Sequence, residues 1–230
     1  AIKFKPDYAK AYSNLGAALF AEQKTEEAIS QYKMAIELNP DFAKAYNNLG
    51  NALSAEGKIE EAIDHYKMAI KIKPDYALAH NNLGIALVAE GKIEEAISHF
   101  KMAIKIKPNF AEAYSNLGSA LSAEGKIEEA ISHYKMAIKI KPNFAKAHYN
   151  LGIDLVAERK IEEAISHFKM AIKIKPDYAA AYNNLGAVLF NAKMTEEAIN
   201  SFKEAIRIRP GFAEAQKNLE AVLLRSEELE

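Results

Sequence analysis

The chain has 230 residues with 30 basic and 31 acidic side chains, so its net charge of −1 gives no case for nucleic acid or an anionic membrane surface as partner. It has no cysteine, which excludes disulfides, thiolate metal sites and a cysteine nucleophile. No signal peptide opens the sequence and no apolar run is long enough to span a bilayer; the compartment stays open, with the cytoplasm favoured.

Read from the N-terminus, the first regularity is proline. Pro6, Pro40, Pro74, Pro108, Pro142, Pro176 and Pro210 follow one another every 34 residues, and no other proline occurs. A strict period of this length marks a stack of small units that bury their apolar faces against one another. Residues 1–8 align with residues 69–76, so the segment 1–8 is expected to be the end of a truncated preceding repeat. That would leave the packing face of the first full repeat uncapped and open to self-association. Six full repeats follow at 9–42, 43–76, 77–110, 111–144, 145–178 and 179–212, and then a half-repeat over 213–230.

Within 111–144, Ala111, Ala113, Tyr114, Leu117, Gly118 and Leu121 recur at three- and four-residue spacing, which predicts an amphipathic helix. Ala123-Glu124-Gly125-Lys126 interrupts it, with Gly125 free to take the positive φ that ends a helix. A second helix then carries Ile127, Ala130, Ile131, Tyr134, Ala137 and Ile138 on its apolar face. Glu128 and Glu129 at its start and Lys139 and Lys141 at its end complement the helix dipole. Pro142 stops it, and Asn143 is expected to cap the next helix. In the half-repeat, Gln216 replaces the aromatic and Glu220 the glycine, the polar face expected of a C-terminal capping helix.

Tyr114, Leu117, Gly118, Leu121, Ala130, Tyr134, Ala137 and Pro142 match the tetratricopeptide repeat signature in type and spacing, and the resemblance recurs in phase along essentially the whole chain. It implies an all-α fold, a right-handed superhelical α-solenoid of helix-turn-helix repeats. First helices would line a concave groove and second helices the convex outside. The array is also similar to the tetratricopeptide region of O-linked N-acetylglucosamine transferases, where a row of asparagines grips peptide backbone.

Differences between copies point to the functional face. Repeats 77–110 and 111–144 differ at six places, five of them on the first helix: Leu78/Glu112, His80/Tyr114, Asn81/Ser115, Ile85/Ser119 and Val88/Ser122. The sixth is Phe100/Tyr134. Numbering each repeat from its first residue, positions 2, 5, 9 and 12 belong to the face that the family turns into its groove. The differences alternate: Ile85 and Val88 return as Ile153 and Val156, while Asn51 and Ser54 match Ser119 and Ser122. Position 2 adds Lys44 and Lys146, and position 5 adds Asn81 and Tyr149. Position 6 never varies: Asn14, Asn48, Asn82, Asn116, Asn150 and Asn184 hold it, with Asn218 in the half-repeat. A carboxamide both donates and accepts, so this row can pair with an extended peptide, or it can satisfy neighbouring helices. On the first reading, alanines at Asn82, Asn116 and Asn150 would leave helicity intact and abolish capture.

Other candidates carry less. A carboxylate clamp of the family needs Lys at position 5 and Arg at position 6; only Lys217 fits. The ladder His65, His99, His133, His167 is too widely spaced for one metal ion, because neighbouring helix axes stand about 8–10 Å apart. The Met34, Met68, Met102, Met136, Met170 stripe reads as gap-filling between second helices, with a sticky convex face as the alternative. Asp154 and Arg159 depart from Ala and Gly in other copies, and Arg159 is the expected partner of Asp154. No phosphate loop, carboxylate dyad or nucleophile–base pair stands out, so neither catalysis, cofactor nor metal is expected. The expected function is a protein-interaction scaffold holding an extended peptide or helix of a partner protein in the groove. The alternatives are the recruiting arm of a glycosyltransferase and a self-assembling or engineered repeat module.

Overall fold

The computed structural model describes residues 6–227. Among them are thirteen helices and no strand: α1 (Pro6–Ala21), α2 (Thr25–Leu38), α3 (Ala43–Ala55), α4 (Ile59–Ile72), α5 (Ala77–Ala89), α6 (Ile93–Ile106), α7 (Ala111–Ala123), α8 (Ile127–Ile140), α9 (Ala145–Ala157), α10 (Ile161–Ile174), α11 (Ala179–Asn191), α12 (Thr195–Ile208) and α13 (Ala213–Glu227). Each repeat is one helix hairpin, and the fold is an all-α repeat array. Residues 1–5, the greater part of the segment expected to end a preceding repeat, lie outside the described residues. Pro6 belongs to the first turn of α1, where its missing N–H costs nothing.

The helices form two compact units, Ala1–Ala120 and Leu121–Glu230. In the first, each helix from α1 to α6 packs on the next, and α3 also touches α1 and α5. In the second, consecutive helices from α8 to α13 pack likewise, and α11 touches both α9 and α13.

Small residues set how closely the two helices of a hairpin approach. A Cβ on Gly84 would lie 2.6 Å from Cε1 of Phe100, and one on Gly50 would lie 2.6 Å from Cε1 of Tyr66. These aromatic rings are buried, as are the alanines beside them at Ala62, Ala69, Ala96 and Ala103. Each fully buried aromatic contributes on the order of 2–3 kcal/mol relative to exposure. Between repeats, Phe110 fills a core with Ala77, Ala103 and Ala113, flanked by Ile104 and Ile106.

The turn inside each hairpin ends the first helix with a left-handed residue. The Gly57 N–H donates to Ser54 O at 3.0 Å and the Lys58 N–H to Leu53 O at 2.9 Å, with Gly57 at φ 77. This pair of bonds satisfies the last carbonyls of the helix. Arg159 takes the same conformation at φ 58, where a side chain is strained.

The loops between hairpins differ from expectation. The residue capping the next first helix is aromatic, Phe42, Tyr76, Phe144 or Tyr178, and none makes a side-chain capping bond. The Asp or Asn before it is therefore not the cap; backbone bonds such as Phe42 N–H to Asn39 O at 3.1 Å close the loop instead. The aromatic ring also receives the lysine that caps the end of the second helix. Lys107 Nζ lies 4.7 Å from the Phe110 ring centre and Lys175 Nζ lies 5.1 Å from that of Tyr178. Such cation–π contacts contribute about 0.5–1 kcal/mol each when exposed.

On α13, Gln216 and Glu220 are exposed, and so are Leu223 and Leu224. No helix among the described residues is long and apolar enough to cross a membrane.

Candidate functional site

In the first unit, positions 5 and 6 of successive first helices form one chain of carboxamides. Asn116 Nδ2 donates to Asn81 Oδ1 at 3.0 Å, Asn81 Nδ2 to Asn82 Oδ1 at 3.3 Å, and Asn82 Nδ2 to Asn47 Oδ1 at 3.1 Å. Asn47 Nδ2 then reaches Asn48 Oδ1 at 3.5 Å. Asn82 Nδ2 also donates to Asn51 Oδ1 at 3.0 Å, and Asn51 Oδ1 takes a 2.8 Å bond from the Tyr66 hydroxyl. Asn47 and Asn81 are buried, so their alternative partner is not water. The amide donors of Asn82 are thus spent within the array. Asn48, Asn82 and Asn116 are half-buried. Asn14 is exposed on α1.

The second unit repeats the relay with one exchange. Asn218 Nδ2 donates to Asn183 Oδ1 at 3.0 Å, and Asn183 Nδ2 to Asn184 Oδ1 at 3.4 Å and to Glu214 Oε1 at 3.0 Å. Asn184 Nδ2 then donates to the Tyr149 hydroxyl at 3.2 Å, so a phenol stands where the first unit has a carboxamide. The Tyr149 ring lies 4.8 Å from that of Tyr178 and 6.0 Å from that of Phe168. Burial, with Tyr149 close by, pushes the Tyr178 phenol up to about 12, and burial also raises that of Tyr149. Both are neutral hydrogen-bonding groups at physiological pH. Asn150 is half-buried on α9.

Beside the relay stand aliphatic side chains that touch water. On α5, Leu78 is 46% exposed, Ile85 47% and Val88 39%; on α9, Ile153 is 40% exposed and Val156 half-buried. Spacings of three, seven and ten residues place the α5 set on one face of the helix. Leu78 varies between copies at position 2, the signal by which its exposure is legible. Lys44 and Lys146 are exposed at the start of α3 and α9. The alternating polar positions are partly engaged: Ser119 Oγ donates to Ser115 O at 3.0 Å, and Ser122 Oγ to Asp154 Oδ1 at 2.8 Å.

That last bond corrects the expected partner of Asp154. Asp154 is buried on α9, Ser122 is its hydrogen-bond donor, and its Oδ2 has no partner. Arg159 is exposed at the turn, where its left-handed backbone holds it. Burial raises the Asp154 carboxyl above its ordinary range and the Ser122 bond opposes the rise.

Two other sequence features take unexpected forms. The five stripe methionines are each 36–39% exposed, so they present surface as well as filling gaps. Two ladder histidines pair inside their own hairpins: His99 Nδ1 lies 3.0 Å from His80 Nδ1, and His167 Nδ1 lies 2.9 Å from His148 Nδ1. Sequence reasoning missed both pairs, although histidine at position 4 occurs only in the two repeats that also carry Ile and Val at positions 9 and 12.

Comparison with solved structures returns tetratricopeptide proteins. The chain is similar to one in the APC/C hetero-tetramer Cut9-Hcn1, at 20% identity and a TM-score of 0.84, over 96% of this chain and 44% of that one. It thus spans under half the length of that relative. Similarity to PilF of Pseudomonas aeruginosa is 21% identity with a TM-score of 0.83, over 92% of this chain and 96% of that one. YrrB, described as a TPR protein with an unusual peptide-binding site, is 26% identical with a TM-score of 0.64, over 81% of this chain and 96% of that one. No curated protein matches the sequence. Residues 6–223 match the tetratricopeptide family described as the cilia and flagella-associated protein 70 C-terminal domain, and with nearly the whole array inside that match the chain belongs to this family.

Proposed function

We propose that this chain is a non-enzymatic protein-interaction scaffold that holds an extended peptide or helix of a partner protein against its first helices, on the face that the family turns into its groove. The observation that carries the reading is the exposure of Leu78, Ile85, Val88 and Ile153 on first helices whose neighbouring positions are half-buried carboxamides. Surface aliphatics beside polar groups on the same helix suit side chains of a ligand, while remaining carboxamide lone pairs suit its backbone N–H groups. The YrrB likeness supports a peptide ligand in the same fold. The asparagine row has a structural share as well: it ties α5 to α3 and α7 to α5 in the first unit, and α11 to α9 and α13 to α11 in the second, so its removal costs stability along with any ligand contact.

A displayed library of random linear peptides, selected on the full chain, tests this. Ile85→Ser, Val88→Ser, Ile153→Ser and Val156→Ser together give those positions the side chains of repeat 111–144. Each lost aliphatic contact is worth about 1 kcal/mol, so the combined variant is expected to bind selected peptides at least ~10-fold more weakly. Unchanged affinity at intact helicity overturns the assignment of this face.

A further inference from the structure

The two histidine pairs join the helices that carry the aliphatic selection residues. His80 and Ile85, Val88 share α5; His148 and Ile153, Val156 share α9. His80 and His148 are each 6% exposed. His80 Nε2 lies 3.0 Å from Pro74 O and His148 Nε2 lies 3.1 Å from Pro142 O. A carbonyl oxygen only accepts, so each Nε2 carries the proton and each neutral ring offers Nδ1 as acceptor. The second-helix imidazole therefore donates its Nδ1–H, and its own Nε2 remains basic.

This arrangement has room for one added proton and not two. The first goes to Nε2 of His99 or His167 and leaves the bond between the rings in place. A second would put N–H against N–H at a 3 Å separation, with two like charges in a half-buried site. Relief requires the rings to part, and parting removes one tie between the first helix and the second while the Gly84–Phe100 and Gly152–Phe168 packing stays.

We propose that each pair is an acid-sensitive latch: its second protonation parts the rings, loosens α5 on α6 or α9 on α10 locally, and so shifts the aliphatic face. This rests on the groove reading given above for its consequence, but not for its chemistry. The neighbouring repeat supplies the contrast. Tyr46 stands opposite His65 with ring centres 5.9 Å apart, and His65 Nδ1 is buried with no partner, so there is no latch to open.

The surroundings agree. Burial first, then the His80 ring and Lys67 of α4, hold His99 below the ordinary imidazole range, while Glu95 opposes. His167 is held down by burial, then by His148 and Lys135 of α8, with Glu163 opposing. Burial also lowers His148, against the pull of the Pro142 carbonyl. Lowered values mean that the unfolded chain takes up protons more readily below about pH 6.5, so these groups withdraw stability as the pH falls.

The test is an NMR pH titration of the full chain with labelled histidine rings and Ile and Val methyls, beside the double variant His80→Tyr and His148→Tyr. The variant carries the tyrosine of the other repeats. Two separated steps per pair are expected, with the Ile85, Val88, Ile153 and Val156 methyls following the lower step and Val188 of α11 silent. In the variant the lower step and its methyl shifts vanish. Both rings of a pair titrating together in one common step, or the same methyl shifts in the variant, overturns the latch. Should acid unfold the chain first, its acid midpoint must lie at higher pH than that of the variant, and equal midpoints overturn it too. No groove ligand is needed, so a failed latch leaves the peptide reading standing, and a failed peptide selection leaves the latch.

Discussion

Repeats 43–76 and 77–110 share a frame and differ in what they do with it. Their second helices, α4 and α6, are nearly the same sequence, and Gly50 and Gly84 admit the facing ring equally closely. Their first helices diverge: α3 presents Asn51 and Ser54, α5 presents Ile85 and Val88. The one second-helix difference between their buried rings follows from this. Tyr66 has a hydroxyl because Asn51 is there to accept it at 2.8 Å, and Phe100 lacks one because Ile85 offers no acceptor. Between these two repeats the alternation is thus a matched exchange of a surface residue with the ring beneath it; repeat 9–42, with Ala17 beside Tyr32, does not follow it.

The largest effect is expected where the repeats agree. Gly84→Ala and Gly50→Ala should each cost about 3 kcal/mol, since the new methyl would overlap a packed ring, and urea unfolding should give similar values for both. A much smaller cost at one of them would mean the frames differ. Next comes the exchange itself. Phe100→Tyr buries a hydroxyl opposite Ile85 and is expected to cost about 2 kcal/mol, with Ile85→Asn recovering about 1 kcal/mol in a double-mutant cycle. Additive single costs would separate the two positions.

Repeat 145–178 shares the His, Ile and Val set of 77–110 but has Asp154 for Ala86 and Arg159 for Gly91. Asp154→Ala is expected to stabilise the chain by about 1–2 kcal/mol at neutral pH, because a buried oxygen lacks a partner. The raised carboxyl binds its proton more tightly in the folded state, so the native penalty is relieved as the pH falls through its folded value. The gap between variant and parent should therefore shrink on acidification; a gap that widens contradicts this. Smallest is Arg159→Gly, about 1 kcal/mol stabilising by thermal melting, since the left-handed turn then carries no side-chain strain.

The repeats, their hairpins and the first-helix location of the variable face were legible because helices declare themselves locally. Ala113, Leu117 and Leu121 lie within a few residues of one another, and Gly125 and Pro142 punctuate them wherever the next repeat sits. The invariant asparagines were legible as a row but not as donors spent inside the array, because Asn82 meets Asn47 across 35 residues. The capping position expected of Asn143 fell to Phe144, which makes no side-chain capping bond and whose ring lies 4.9 Å from the Lys141 ammonium.

From the sequence alone came a helical repeat array with a constant frame and a variable first-helix face, since short-range periodicity suffices to encode both. Only the tertiary structure decided that the carboxamides form a relay, that Ser122 and not Arg159 meets Asp154, and that His80 and His148 each face a second imidazole. The contacts between helices join residues 19 to 35 apart, and which atoms meet there depends on side-chain reach and the register between packed helices, which no spacing rule supplies.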